Sequence, residues 1–159
     1  MAKLKRLTKL EIAWTLGVVI LIAGVGVYAT VLLYNVDALP ANPGEYVEVT
    51  GHQWYWEFYY PSNNTYWNTS YDASTLTATG GALWAYPGEV VQINVTSVDV
   101  VHSFNIPGLG VRIDAIPGRT NHLAFTVPAA ATVGTEYLIQ CTEFCGEFHG
   151  TMRAFLVVK

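Results

Sequence analysis

The sequence predicts an all-β sandwich or barrel carried behind one membrane-spanning helix. Three observations support this reading. The 23 residues from Ile12 to Tyr34 contain no charged side chain. Beyond Gly44 the chain breaks into short runs in which apolar and polar residues alternate. Pro-Gly pairs at 43–44, 87–88, 107–108 and 117–118 punctuate those runs. The 159 residues give room for about one domain, and 52% hydrophobic against 13% charged residues excludes a disordered chain. The acidic balance, 8 Lys and Arg against 12 Asp and Glu, argues against a nucleic-acid partner, because phosphate binding needs a basic stripe.

The uncharged segment would span roughly 34 Å as a helix, enough for a hydrocarbon core of about 30 Å. Trp14 and Tyr34 lie near its ends, where amphipathic aromatics favour the interface. Residues 1–11 hold Lys3, Lys5, Arg6 and Lys9 against Glu11, a net charge of +3, whereas residues 35–159 hold four basic groups and eleven acids, net −7. This bias predicts a cytoplasmic N-terminus (1–11), a single pass through the plasma membrane (12–34), a linker (35–44, with Pro40-Ala41-Asn42-Pro43-Gly44) and an exported domain (45–159). A cleaved signal peptide is the competing reading, with Val36-Asp37-Ala38 as its cleavage pattern, but the apolar run exceeds the roughly 7–15 residues of a signal core. Gly17, Gly24 and Gly26 would allow close approach of a neighbouring helix.

In the exported part, Val91, Ile93 and Val95 share one face of Glu89–Thr96, and Gln92, Asn94 and Thr96 share the other. Leu123, Phe125 and Val127 alternate in the same way, as do Thr135–Cys141 and Thr151–Val158. Short strands with regular turns and no helical period point to a β-sandwich or barrel. Asn63-Asn64-Thr65, Asn68-Thr69-Ser70 and Asn94-Val95-Thr96 match the N-glycosylation pattern, in keeping with export. His52–Tyr71 contains nine of the 21 aromatic Phe, Trp and Tyr residues. Alternation buries only half of such a run, and the other half faces solvent or a partner.

Between Cys141 and Met152 the chain packs two thiols, an imidazole and a thioether into twelve residues. Soft sulfur with imidazole selects copper, whereas zinc gains little from a thioether. A single blue-copper site needs one Cys, two His and a weak Met, so the second thiol suggests two copper ions sharing both thiolates. His149 serves one ion. A further His comes from His52, His102 or His122. His102 is favoured because it follows a strand upstream of the cluster. His122 falls on a polar face and His52 beside the aromatic run, where it reads as a structural hydrogen-bonding group. A Cys141–Cys145 disulfide is the plain alternative in an oxidising compartment.

Gly51-His52-Gln53-Trp54-Tyr55-Trp56, Asp99-Val100-Val101-His102-Ser103-Phe104, Asp114-Ala115-Ile116-Pro117-Gly118-Arg119 and the Cys141–Met152 cluster together resemble subunit II of the haem-copper cytochrome c oxidases. The resemblance spans residues 51–152 and implies a cupredoxin-like Greek-key sandwich with a binuclear CuA centre. By the same resemblance, Cys141 and Cys145 bridge both coppers, His102 and Met152 complete one, and His149 with the Glu143 carbonyl completes the other. Trp54 matches the electron-entry tryptophan. The Glu143 carboxylate matches a residue that helps hold Mg²⁺ at the boundary with subunit I, and Asp114–Arg119 looks like the loop facing that subunit.

One helix with an inside start is similar to the short-subunit, B-type (ba3-like) oxidases, in which a separate small single-helix subunit fills the remaining place. Glu11 there matches a glutamate at the mouth of a proton-uptake path, although a helix N-terminus favours an acid in any case. The implied function is electron entry into a respiratory oxidase. Electrons would come from an external cytochrome c or blue copper donor and pass to haem in subunit I, which reduces O₂ and pumps protons. The chain alone would reduce no oxygen. The alternatives are a membrane-anchored CuA domain of a nitric or nitrous oxide reductase and a copper-delivery thiol protein.

Overall fold

In the computed structural model, residues 2–36, 38–72 and 77–159 are described, with side chains at 8–35, 38–69 and 80–159. Lys3, Lys5 and Arg6 (side chains), Asp37 of the cleavage pattern and the Tyr71 ring lie outside the described residues. The chain divides into two units, Met1–Ala38 and Leu39–Lys159.

The first unit is one helix, α1 (Ala2–Val36). Its stretch Thr8–Asn35 is long and apolar enough to cross a membrane, and none of that stretch is buried against protein. At about 1.5 Å per residue, its 28 residues reach roughly 42 Å. Leu, Ile, Val and Tyr side chains point outward all round it, the pattern of a helix whose solvent is lipid. Glu11 is exposed near its start.

The second unit is built of strands β1 (Glu45–His52), β2 (Tyr55–Tyr60), β3 (Thr65–Asp72), β4 (Thr77–Gly80), β5 (Leu83–Ala85), β6 (Val90–Ser97), β7 (His102–Ile106), β8 (Val111–Ala115), β9 (Asn121–Thr126), β10 (Glu136–Cys141) and β11 (Arg153–Val158). They form one sheet in the order β4-β3-β2-β1-β6-β9 and a second in the order β5-β11-β10-β7-β8. Most neighbours are antiparallel, but β1 runs parallel to β6 and β5 parallel to β11. The chain crosses from one sheet to the other after β4, β5, β6, β8 and β9, giving a cupredoxin-like Greek-key sandwich. Apart from 3₁₀ turns at Pro107–Leu109 and His149–Thr151, no helix occurs among the described residues of this unit.

The alternation seen in the sequence becomes the core. Val47 and Val49 of β1, Trp56 and Phe58 of β2, and Val91, Ile93 and Val95 of β6 are fully buried. They face Phe104 and Ile106 of β7, Ile139 of β10 and Leu156 of β11. Phe104 meets Trp56 edge-on at 5.3 Å and Phe58 at 6.5 Å, an arrangement favoured by the ring quadrupoles. The aromatic run divides as alternation requires: Trp56, Phe58 and Tyr60 point inward, while Tyr66 and Trp67 are exposed.

Of the three sequons, Asn63 and Asn68 are exposed. Asn94 differs, because its strand lies between β1 and β9 and both ends of its amide are in use. The Asn94 Nδ2 group donates to the Tyr46 hydroxyl, and Oδ1 pairs with His122 Nδ1 at 2.6 Å.

Replacing Ile93 by Ala removes a fully buried side chain from the middle of β6. We expect it to lower the unfolding free energy by about 2–5 kcal/mol. Thr126→Ala, at an exposed position on β9, is expected to change it by under about 0.5 kcal/mol. Urea titrations followed by tryptophan fluorescence compare the two midpoints.

Candidate metal centre

The strand pairings bring three connections to one end of the sandwich. Because β1 and β6 are parallel, the turn after His52 and the loop after Ser97 emerge side by side. Strand β7 begins at His102 and pairs with the end of β10, where Cys141 lies opposite Phe104. The Cys141 N–H donates to the Met152 carbonyl at 3.1 Å, closing the segment between them into one loop joining β10 to β11.

Within this end, His102, Cys141 and Cys145 present ligand atoms that all lie within 4.8 Å of one another. Cys141 Sγ is 3.8 Å from Cys145 Sγ and 3.8 Å from His102 Nδ1. Cys145 Sγ is 3.4 Å from His149 Nδ1 and 3.9 Å from the Met152 sulfur. The Glu143 carbonyl oxygen is 3.2 Å from Cys141 Sγ. His102 and Met152 are fully buried and both thiols nearly so, while His149 is half-buried. His102, the two thiols, His149, Met152 and the Glu143 carbonyl are thus linked by contacts of 3.2 to 3.9 Å.

Both cysteines are free thiols, and their sulfurs stand well beyond the roughly 2.05 Å of a disulfide. At a thiolate–metal bond of about 2.3 Å, two sulfurs at this separation leave room for a bridging ion on either side of the line between them. The thiolates, imidazoles and thioether are the soft set that suits copper. The residues present fit a pair of copper ions.

Asp99 organises the surroundings. Its Oδ1 meets His102 Nε2 at 2.8 Å, which aims Nδ1 at the thiols. The same carboxylate accepts the N–H of Gln53 at 2.6 Å and of Val100 at 2.6 Å. Burial alone would raise the Asp99 carboxyl, but these hydrogen bonds, led by that of His102, hold it below its ordinary value of 3.8. Burial likewise opposes charge on His102, and the Cys141 and Asp99 partners outweigh it, raising its ordinary value of 6.5. The thiols separate. Burial disfavours the Cys141 thiolate, but hydrogen bonding from His102 and the Ser103 backbone brings its pKa down. Burial and then the charge of Cys141 push Cys145 up to about 12. Two adjacent thiols share one site, so the first ionisation suppresses the second.

Trp54 is half-buried at the edge of the cluster. Its indole N–H donates to the Cys145 carbonyl at 3.1 Å, and the Gln53 side-chain amide donates to the same oxygen at 2.7 Å. Phe148 meets the Trp54 ring edge-on at 4.8 Å. Gly146 passes over this pair at φ +119, where an added Cβ would lie 3.1 Å from Gln53 Nε2. Phe144, Val98 and Val101 are exposed on the loops around the cluster.

The other sequence candidates fall elsewhere. His122 is exposed on β9. His52 corrects an expectation: it stacks on Tyr55 at 4.4 Å with 6° between the planes, and its buried Nε2 has no hydrogen-bond partner. Ring stacking, not hydrogen bonding, holds it. The Glu143 carboxylate is exposed and lies outside the one group of three or more candidate metal donors found among the described residues. Ile116–Arg119 is a tight turn, tied to β6 by the Thr96 hydroxyl donating to the Arg119 carbonyl at 2.9 Å.

Sequence reasoning gave no role to Asp99, Gln53 or Gly51. An added Cβ on Gly51 would lie 2.8 Å from His102 Cδ2, so only glycine lets β1 pass the histidine. A glycine inside an otherwise apolar-alternating strand was the available signal.

A family model described as cytochrome C oxidase subunit II, periplasmic domain, matches residues 46–159. Cytochrome c oxidase subunit 2 of Arabidopsis thaliana is 31% identical over 164 residues, covering 91% of this chain and 60% of the plant protein. The chain thus spans about 60% of the length of curated relatives it matches. Among solved structures, the periplasmic domain of subunit II of cytochrome oxidase (CoxB) of Bradyrhizobium japonicum superposes with a TM-score of 0.67 at 31% identity, over 77% of this chain and 88% of that one. A mixed disulfide between thioredoxin-like TlpAs and subunit II of cytochrome c oxidase superposes at 0.62 with 30% identity, over 77% and 86%.

The Asp99–His102 pair sets a pH dependence for the metal-free protein. Asp99, with its lowered pKa, stabilises fully above 3.8 and loses that contribution as pH falls through its folded value. His102, with its raised pKa, stabilises fully below 6.5 and loses its contribution as pH rises through its folded value. Asp99→Asn is expected to flatten both limbs of the melting-temperature profile, as measured by circular dichroism in chelator-treated protein.

Proposed function

The chain belongs to the cytochrome c oxidase subunit II family, and on that premise we propose that it is the electron-entry subunit of a membrane-anchored haem-copper oxidase, holding a binuclear CuA centre. The observation that carries the proposal is the convergence of His102, contributed by a different strand, on the two thiols of the Cys141–Met152 loop. In this reading Cys141, Cys145, His102, His149, Met152 and the Glu143 carbonyl would together hold the two copper ions. The centre, when bound, supplies one-electron redox chemistry at an outer-sphere site.

The chain's own residues supply the rest. Asp99 fixes the His102 ring and its tautomer, a carboxylate–histidine arrangement that orients a metal ligand. The inward faces of β7, β10 and β11 exclude water from the thiols. Trp54 provides a route inward, because its N–H donates to the backbone of Cys145. The exposed apolar side chains of Phe144, Val98 and Val101 around this entrance suit a short-lived contact with a cytochrome c or blue copper donor. The Asp114–Arg119 segment would face subunit I, whose haem receives the electron. The helix would place its basic end in the cytoplasm and the copper domain outside the plasma membrane. A match of the subunit II domain across residues 46–159 favours this oxidase reading over a nitric or nitrous oxide reductase domain or a copper-delivery protein.

A thioredoxin-like partner is part of the same proposal. The relative's mixed disulfide supports a thiol-exchange step that keeps Cys141 and Cys145 reduced until copper arrives.

Copper titration of the reduced chain is expected to reach two ions per chain, with the hyperfine pattern of an unpaired electron shared between two nuclei. Cys141→Ser and Cys145→Ser should each abolish that pattern. One ion per chain with a single-nucleus pattern would contradict the binuclear reading.

Trp54→Ala is expected to leave the copper spectrum intact and slow reduction by the donor at least about tenfold in stopped-flow traces, with only modest dependence on salt because the entrance is apolar. An unchanged rate would remove Trp54 from the route.

A further inference from the structure

The sandwich has a second concave site at the end opposite the metal loop. It lies where β1, β3 and β6 begin and where β2, β5 and β11 finish, one strand length from the metal loop, or roughly 23 Å along β1. The cleft there encloses about 490 Å³, within the range of small-molecule sites. Trp67, Trp84 and Tyr86 supply aromatic surface to it, and Glu45 and Glu89 supply carboxylates. Trp67 and Tyr86 are exposed, 45% and 60%, although large aromatics are costly to leave in water.

One cation is already present. The Lys159 ammonium lies over the Trp84 ring, 4.2 Å from its centre. The Lys159 backbone is pinned by its N–H donating to the Ala85 carbonyl at 2.9 Å, so the side chain enters from a fixed root. It covers a single ring. Among the described residues it is not ion-paired with Glu45 or Glu89, and no other cation lies over Trp67 or Tyr86. Glu89 accepts the Tyr86 N–H at 2.7 Å, and Glu45 accepts its neighbour's N–H at 3.2 Å and the Ser62 hydroxyl at 3.4 Å. Two carboxylates against one ammonium leave the side chains lining the cleft net negative beside three aromatic side chains, of which Trp84 already presents its face to a cation.

Ring faces attract a cation through the aromatic quadrupole, and weakly hydrated alkylammonium groups gain most. The nearby carboxylates add Coulomb attraction without requiring the close, dehydrated contact that a metal ion would need. We propose that this cleft is a binding site for an alkylammonium group, such as the choline head of a small organic cation or of a lipid, and that Lys159 is its intramolecular competitor.

The test uses the full chain in a neutral detergent, titrated calorimetrically with choline chloride and, separately, with the neutral isostere in which carbon replaces the charged nitrogen. Choline is expected to bind at a single saturable site with a dissociation constant at or below roughly 1 mM, and the isostere at least about fivefold more weakly. Glu45→Gln and Glu89→Gln should each weaken choline about threefold, and Trp67→Leu more, with thermal melts confirming that each variant folds. Lys159→Ala should tighten choline several-fold, the opposite of what a merely structural lysine would give. Equal binding of choline and its isostere, or a Lys159→Ala variant that binds choline no better than wild type, would overturn the proposal. Repeating the titration in nanodiscs separates the sources. Weaker choline binding in phosphatidylcholine than in phosphatidylglycerol discs assigns the site to a lipid head, and equal binding assigns it to a soluble cation. The copper site is untouched by these variants, so their failure would leave the electron-entry reading standing.

Discussion

The whole metal end hangs on the Asp99 carboxylate. One oxygen holds His102 Nε2, and the other takes the N–H of Gln53, which immediately precedes Trp54. The Val100 N–H and the Ser97 hydroxyl close the carboxylate's own turn at 2.6 and 3.2 Å. One short acidic side chain thus ties together the turn after β1, the loop after β6 and the first residue of β7. Hydrogen bonds to a charged oxygen are strong, and the Gln53 and Val100 donors are backbone groups that cannot move far. The carboxylate is therefore held as firmly as it holds its partners. Without it, the histidine ring and the tryptophan would be positioned independently.

The thiols then follow from the strands. Cys141 ends β10 with its side chain inward, in the same phase as Ile139. Cys145 is anchored from the other side, because its carbonyl receives both the indole N–H and the Gln53 amide. The difference in ionisation between them is a consequence of this placement. Burial opposes both thiolates, but Cys141 has His102 and backbone donors beside it, while Cys145 has the charge of its neighbour added to burial.

Much of this could be read from the residues in order. Period-two alternation marked β6, β9, β10 and β11, because each has one face in the core and one in water, and the same rule required half of the aromatic run to be buried without naming which half. The tight Cys-Cys-His-Met spacing marked four of the donors, since a single loop carries them, and the family resemblance added the Glu143 carbonyl within that loop. What the sequence left open depends on contacts between distant segments. Asp99 and Gln53 are unremarkable polar residues until the parallel pairing of β1 and β6 sets their loops side by side. Gly51 is meaningful only once the ring of His102 occupies the space a Cβ would take. His52 looked like a hydrogen-bonding group because imidazole usually is one, and only the folded chain shows it lying flat on Tyr55 with its Nε2 unpartnered. Asn94 matched an acceptor pattern three residues long, and that pattern cannot report that Tyr46 and His122 already claim both ends of its amide.

Met152 has two memberships. It closes the ligand loop opposite Cys141, and, one residue before β11, it starts the buried series that continues in that strand as Ala154, Leu156 and Val158. Side chains on a strand change face at every step, so the loop's length is tied to the parity of the strand that follows it. Gaining or losing one residue between His149 and Met152 would force a choice between a thioether that misses the thiols and a β11 that turns its apolar face to water. Insertions that other surface turns of such a sandwich absorb freely are therefore barred here, and this segment's length should be inherited unchanged even where its non-ligand residues drift.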